Sequence, residues 1–231
     1  MRTRRRVACC RFFFITVALV FVTALFFPSH SEARRKSLQA GKDVKGITFD
    51  EFWAKVYEEG TKWAGNRLRV RRIVSVPVVG FDGRSGRSPV WEAQLVRCDS
   101  ARAQDTAEEG AVASNICKGR SVTIRVVESG VSGEEAGIRT SKEIYFRGPV
   151  VKTDRIKIGA GLAEDTANNH KNYHPVETDN YTYELKFDQR GDRPVWVIKR
   201  TCGYKGRSSG RCMPGDHWIT KVDAESGEIV K

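Results

Sequence analysis

Cysteines, histidines and clustered arginines are the residues of this chain with the most chemical potential, and their spacing limits what that chemistry is. Beyond the N-terminal region the cysteines are Cys98, Cys117, Cys202 and Cys212, with 18 residues inside the first pair and 9 inside the second. That is too wide for a redox Cys-x-x-Cys, and it lacks the Cys-x2-4-Cys knuckles that a four-cysteine zinc site normally uses. Structural disulfides, Cys98 with Cys117 and Cys202 with Cys212, are the expected chemistry. His170 and His174 stand four apart, the spacing that sets two imidazoles on one helix face, and His217 would be a third ligand for zinc. No Glu lies between the first two, and Pro175 disfavours helix at His174, so surface histidines are the preferred reading. The few histidines lack a plausible serine and carboxylate context, no phosphate-cradling glycine loop occurs, and the carboxylates come as adjacent, solvated pairs. The expectation is a protein without catalysis and without a metal or organic cofactor.

Arginine remains. Arg67, Arg69 and Arg71 alternate along one segment with Arg72 beside them, and Lys205, Arg207 and Arg211 stud a short glycine- and serine-rich loop. Clustered guanidinium groups match phosphate and carboxylate oxygens, so these seven residues form the candidate anion-binding face. A solvated basic face is the competing reading. No specific nucleic-acid motif accompanies them.

The elements that would position these groups come twice. Pro89-Val90-Trp91 followed by Cys98 and Cys117 returns as Pro194-Val195-Trp196 followed by Cys202 and Cys212. The series continues, with residues 122–127 against 218–223 and Ser132-Gly133-Glu134 against Ser226-Gly227-Glu228. Before the first copy, Thr48 and Glu51 make a capping box, and Phe49, Phe52, Trp53, Val56, Tyr57 and Trp63 form an aromatic stripe at helical spacing. Residues 67–79 then alternate, with Leu68, Val70, Val74, Val76 and Val78 inward and Arg67, Arg69, Arg71 and Ser75 outward. A second helix is expected over about 160–170, with Leu162, Ala163, Thr166 and Ala167 inward, before a strand through Tyr181, Tyr183, Leu185 and Phe187. The fold class expected is α+β: two tandem units, each one helix packed on an antiparallel sheet of about three to four strands.

Charge and address complete the reading. Five arginines precede or flank an apolar run over residues 12–27, Pro28 breaks it, and Ser31-Glu32-Ala33 offers a cleavage site. At roughly 16 residues the run is shorter than a bilayer-spanning helix prefers. Residues 1–33 therefore read as a signal peptide, with a retained anchor as the alternative. Without them the formal charge falls from +12 to +8. That excess still favours anionic surfaces.

The organisation expected is signal peptide 1–33, linker 34–45, first unit 46–139, connector 140–157 and second unit 158–231. The closing segment, Lys221-Val222-Asp223-Ala224-Glu225-Ser226-Gly227-Glu228-Ile229-Val230, together with the helix and Pro-Val-Trp strand ahead of it, resembles the PepSY domain. The match is good over roughly residues 155–231 and fainter over 46–135. The resemblance implies a periplasmic or secreted, non-catalytic module acting by protein contact. Its partner would be an extracytoplasmic protein, with a peptidase as the first class, since PepSY units in thermolysin-type propeptides are thought to inhibit the peptidase. Tandem helix-plus-sheet units also resemble the beta-lactamase inhibitor protein, whose sheet offers a binding face. A secreted polyanion-binding protein for glycan, lipid headgroup or nucleic acid is the alternative function.

Overall fold

A computed structural model describes residues 37–99, 116–170, 179–188, 192–203 and 215–231. Its elements run β1 (Gln39–Ala40), β2 (Ile47–Thr48), α1 (Phe49–Ala64), β3 (Leu68–Ser75), β4 (Arg87–Ser88), β5 (Val90–Cys98), β6 (Ile116–Val127), β7 (Val131–Ser132) and β8 (Gly137–Thr140). They continue with β9 (Ile144–Pro149), β10 (Val151–Lys152), α2 (Ala160–His170), β11 (Asn180–Asp188), β12 (Arg193–Thr201), β13 (His217–Asp223) and β14 (Ile229–Val230).

The expected α+β class, with two tandem units on separate small sheets, is wrong: among the described residues the chain is mostly strand, with two α-helices. One ten-stranded sheet runs β14-β13-β12-β11-β3-β5-β6-β8, with β9 also on β6 and β10 also on β3. The first strands of the two repeats, β3 and β11, pair antiparallel through Arg72–Lys186, Ile73–Leu185 and Val74–Glu184. The physical reason lies in the edges. Two separate sheets would each expose the backbone N–H and C=O groups of an outer strand, and pairing β3 with β11 satisfies both. The inward side chains then merge: Phe49 packs edge-on to Trp196 at 4.9 Å and to Trp91 at 6.1 Å, so one helix touches both repeated tryptophans. Residues Ser37–Lys231 form one compact unit.

The repetition survives as local geometry. Trp91 Nε1 donates to Ile47 O and Trp196 Nε1 to Ile158 O, both at 2.9 Å, and each acceptor lies two residues ahead of its helix. Trp91 pairs with Val126 and Trp196 with Val222, the register that the sequence alignment of the two copies requires.

Both helices pack on the core that this sheet builds. α1 begins with the expected capping box: Thr48 Oγ1 accepts from Glu51 N, and Glu51 Oε2 accepts from Thr48 N at 2.9 Å. It buries Phe49, Phe52, Val56, Gly60 and Ala64, while Trp53 and Trp63 are half-buried and Tyr57 departs from the stripe as an exposed residue. Gly60 allows the close approach, because a Cβ there would stand 2.7 Å from Leu95. α2 buries Ala160, Ala163, Glu164 and Ala167. Leu162, expected inward, is 55% exposed, and Thr166 donates to Leu162 O on the same outer side. The helix is turned because Glu164 has buried partners, described below.

The alternation over 67–79 also breaks. The register between β3 and β5 slips between Val70 and Arg72, leaving Arg71 as the extra residue of a bulge. After it Ile73 and Ser75 face the core, and Val74 does not. Val76 and Val78 join a separate cluster with Val90, Val127, Val131, Leu38 and Phe81. The expected linker 34–45 is partly structured, since Gln39–Ala40 pairs with Val131–Ser132. The connector 140–157 becomes a strap from β6 to β3, closing a cluster of Val96, Cys117, Phe146 and Val150 over β5.

Candidate binding face

Helices cover one face of the sheet, and strand alternation sends every second residue to the other. From β11 to β13 the pairing aligns Thr182 with Lys199 and Ile219, Glu184 with Val197 and Lys221, and Lys186 with Val195 and Asp223. Paired residues share a face, and the intervening Tyr183, Leu185, Trp196, Ile198 and Val222 are core, so the first two rows form the bare face, while Val195 and Asp223 of the third are buried. Across the seam it continues through Arg72 and Val74 of β3, Glu92 and Gln94 of β5, and Thr123 and Arg125 of β6.

The charges on this face are arranged in pairs. Arg72 Nε meets Glu184 Oε1 at 2.7 Å across the seam, and Lys186 Nζ meets Glu184 Oε2 at 3.2 Å. Arg125 bridges Glu92 and Glu134, the latter at 2.6 Å. Lys199 and Thr182 line a cleft of about 470 Å³ where β3 and β11 part, whose other wall includes Val76, Pro77 and Phe81.

Four of the seven candidate anion-binding residues are described, and each of the four is held differently. Arg67 is exposed in the turn before β3, and Arg69 is folded back, donating to Asn66 O at 3.1 Å and Leu68 O at 2.7 Å. Arg71 stacks over Phe146 at 5.1 Å, and Arg72 is held by Glu184. Lys205, Arg207 and Arg211 lie outside the described residues. Cys98 and Cys117 are bonded to each other, with Cα atoms 5.7 Å apart. Cys202 is disulfide-bonded, and Cys212 lies outside the described residues. His170 ends α2, His217 Nδ1 shares a 3.0 Å hydrogen bond with Thr201 Oγ1, and His174 lies outside the described residues. Among the described residues no group of histidine, cysteine and carboxylate side chains could hold a metal, and no helix is long and apolar enough to cross a membrane.

Sequence reasoning overlooked Thr182, Lys186, Lys199, Ile219 and Lys221. The signal was present in the same alternation that marked Tyr181, Tyr183, Leu185 and Phe187 as inward. It also overlooked Glu164, which belongs to a buried lock between the two halves. Tyr183 Oη lies 2.5 Å from Glu164 Oε2 and also contacts Gly83 O, while Gly86 N donates to both Glu164 Oε2 and Tyr183 Oη at 3.1 Å. One hydroxyl proton cannot serve two acceptors. A protonated Glu164 donating to Tyr183, which donates to Gly83 O, satisfies all three groups. Burial pushes the Glu164 carboxyl above the usual carboxylate range in the same direction, and burial followed by Glu164 raises Tyr183 well above an ordinary phenol. Gly86 sits at φ +64° with no room for a Cβ, which would lie 2.2 Å from Gly161 N.

No protein-family model, curated protein or solved structure matches the chain.

Proposed function

We propose that the chain is an exported, non-catalytic binding protein that holds a protein partner against the bare face of its sheet. The observation that supports this reading is the one-sided helix layer. It leaves a strip from Gln94 to Lys221, five strands wide, on which charged groups alternate with Val74, Val197 and Ile219. Side chains on hydrogen-bonded strands are placed in advance, so little ordering entropy opposes association. A disulfide at Cys98 and Cys117 suits an oxidising, extracytoplasmic compartment. The PepSY resemblance adds a partner class, a peptidase of the thermolysin type.

The test uses immobilised full chain and an envelope extract at high salt, with Ile219→Asp/Lys199→Glu as the face variant. A specific protein retained by the native chain and lost by the variant is the expected result. Equal retention by both refutes the assignment of the face. Loss of all ligands from the native chain as salt rises refutes protein contact altogether. That outcome belongs to a polyanion-binding protein, the second reading, which Lys186, Lys199 and Lys221 on three adjoining strands favour.

A further inference from the structure

We propose that the sheet rim carrying Ile116, Lys118, Arg120, Ile144, Tyr145 and Arg147 docks edge-on to an anionic lipid surface. The register between β6 and β9 pairs Arg120 with Tyr145 and Lys118 with Arg147. Cys117 and Phe146, one position away on each strand, turn into the cluster beneath the strap. Alternation therefore sends Lys118, Arg120, Tyr145 and Arg147 to the opposite side, beyond the C-terminal end of α1. All four are exposed. Among the described residues none of the three cations has a carboxylate partner. Arg97, paired with Arg120 in the same row, differs: it stacks on Trp63 at 5.2 Å and bridges Glu143 at 3.5 Å.

Apolar groups flank these cations on both sides of the rim. Tyr145 is 64% exposed and Ile116 53% on the cationic side, and Ile144, 57% exposed, pairs with Ser121 on the other. A polyanion lying along one face would leave Ile144 in water. A lipid surface receives the rim from its edge, with Ile116, Ile144 and Tyr145 in the headgroup region and the three cations at the lipid phosphates.

The experiment measures partition of the full chain onto phosphatidylcholine vesicles with and without phosphatidylglycerol. The apolar run at residues 12–27 is present in every sample, so the ratio of the two affinities isolates the charge term. Each cation near an anionic surface contributes about fivefold, so Lys118→Gln/Arg120→Gln/Arg147→Gln should lower that ratio about a hundredfold and Arg147→Gln alone about fivefold. Ile144→Ser/Tyr145→Ser should weaken binding to the anionic vesicles while leaving binding to a single-stranded oligonucleotide unchanged. An unaltered ratio in the charge variants, with unchanged thermal unfolding, overturns the proposal. So does a serine variant without effect on vesicles when the charge variant has lost the oligonucleotide, because the rim would then be a polyanion site.

Discussion

Phe49 is the side chain through which the two repeats share a core, and its removal tests that sharing. The ring is 4% exposed, 4.9 Å from Trp196 and 6.1 Å from Trp91. Phe49→Ala should cost about 3–5 kcal/mol, the range for deleting a buried ring that its neighbours cannot close over. Were the repeats independent, only the first would weaken. With a common core, backbone amides in β5 and β12 should lose hydrogen-exchange protection together and by the same amount. A sharper version is a double-mutant cycle between Phe49→Leu and Trp196→Leu. An edge-on aromatic pair contributes about 1 kcal/mol beyond its buried area, and that coupling should appear in urea unfolding. Full protection of β12 in Phe49→Ala, or a coupling energy of zero, would refute the single core.

Glu164 predicts a pH dependence with a definite sign. Its carboxyl titrates above the usual range, so the folded chain keeps a proton that the unfolded chain has released; the stability it contributes is full below the unfolded carboxylate pKa and is lost as pH rises towards the raised value. Glu164→Gln, whose amide can donate to Tyr183 at every pH, should flatten this slope in urea midpoints taken across the acidic range, and an unchanged slope would exclude Glu164 as its source. Cys98→Ser/Cys117→Ser should lower stability by about 3 kcal/mol, the value for releasing a loop of this length, measured by urea unfolding against the oxidised chain. No loss would place the stabilisation elsewhere.

What was legible in the sequence was local. Thr48 and Glu51 meet within one helical turn, so their pairing could be seen in four residues, and the Pro-Val-Trp strands carry their own alternation. The Cys98–Cys117 link followed from the repeat. The seam was not legible, because pairing Arg72–Val74 with Glu184–Lys186 joins residues far apart in sequence, and nothing in either segment names its partner. The bulge at Arg71 was hidden for another reason: Arg71 and Arg72 are both polar, so an inserted residue leaves no irregularity in a hydrophobic count until Ile73. Glu164 was overlooked because a carboxyl on a helix normally marks the outer face, and only the distant Tyr183 and Gly86 reverse that rule. The bare face was readable as the complement of the inward residues, but which strands adjoined was not.

Each repeated tryptophan holds, through one indole N–H, the carbonyl two residues ahead of its helix, at Ile47 and at Ile158. This pair of contacts separates what the two copies share from what differs between them. Helix length, the buried face of each helix and the strap beside β6 all differ between the copies. The position at which the chain enters its helix does not. A strand tryptophan that ties down the entry to its helix is therefore the feature by which the two copies can be overlaid, where their helices cannot.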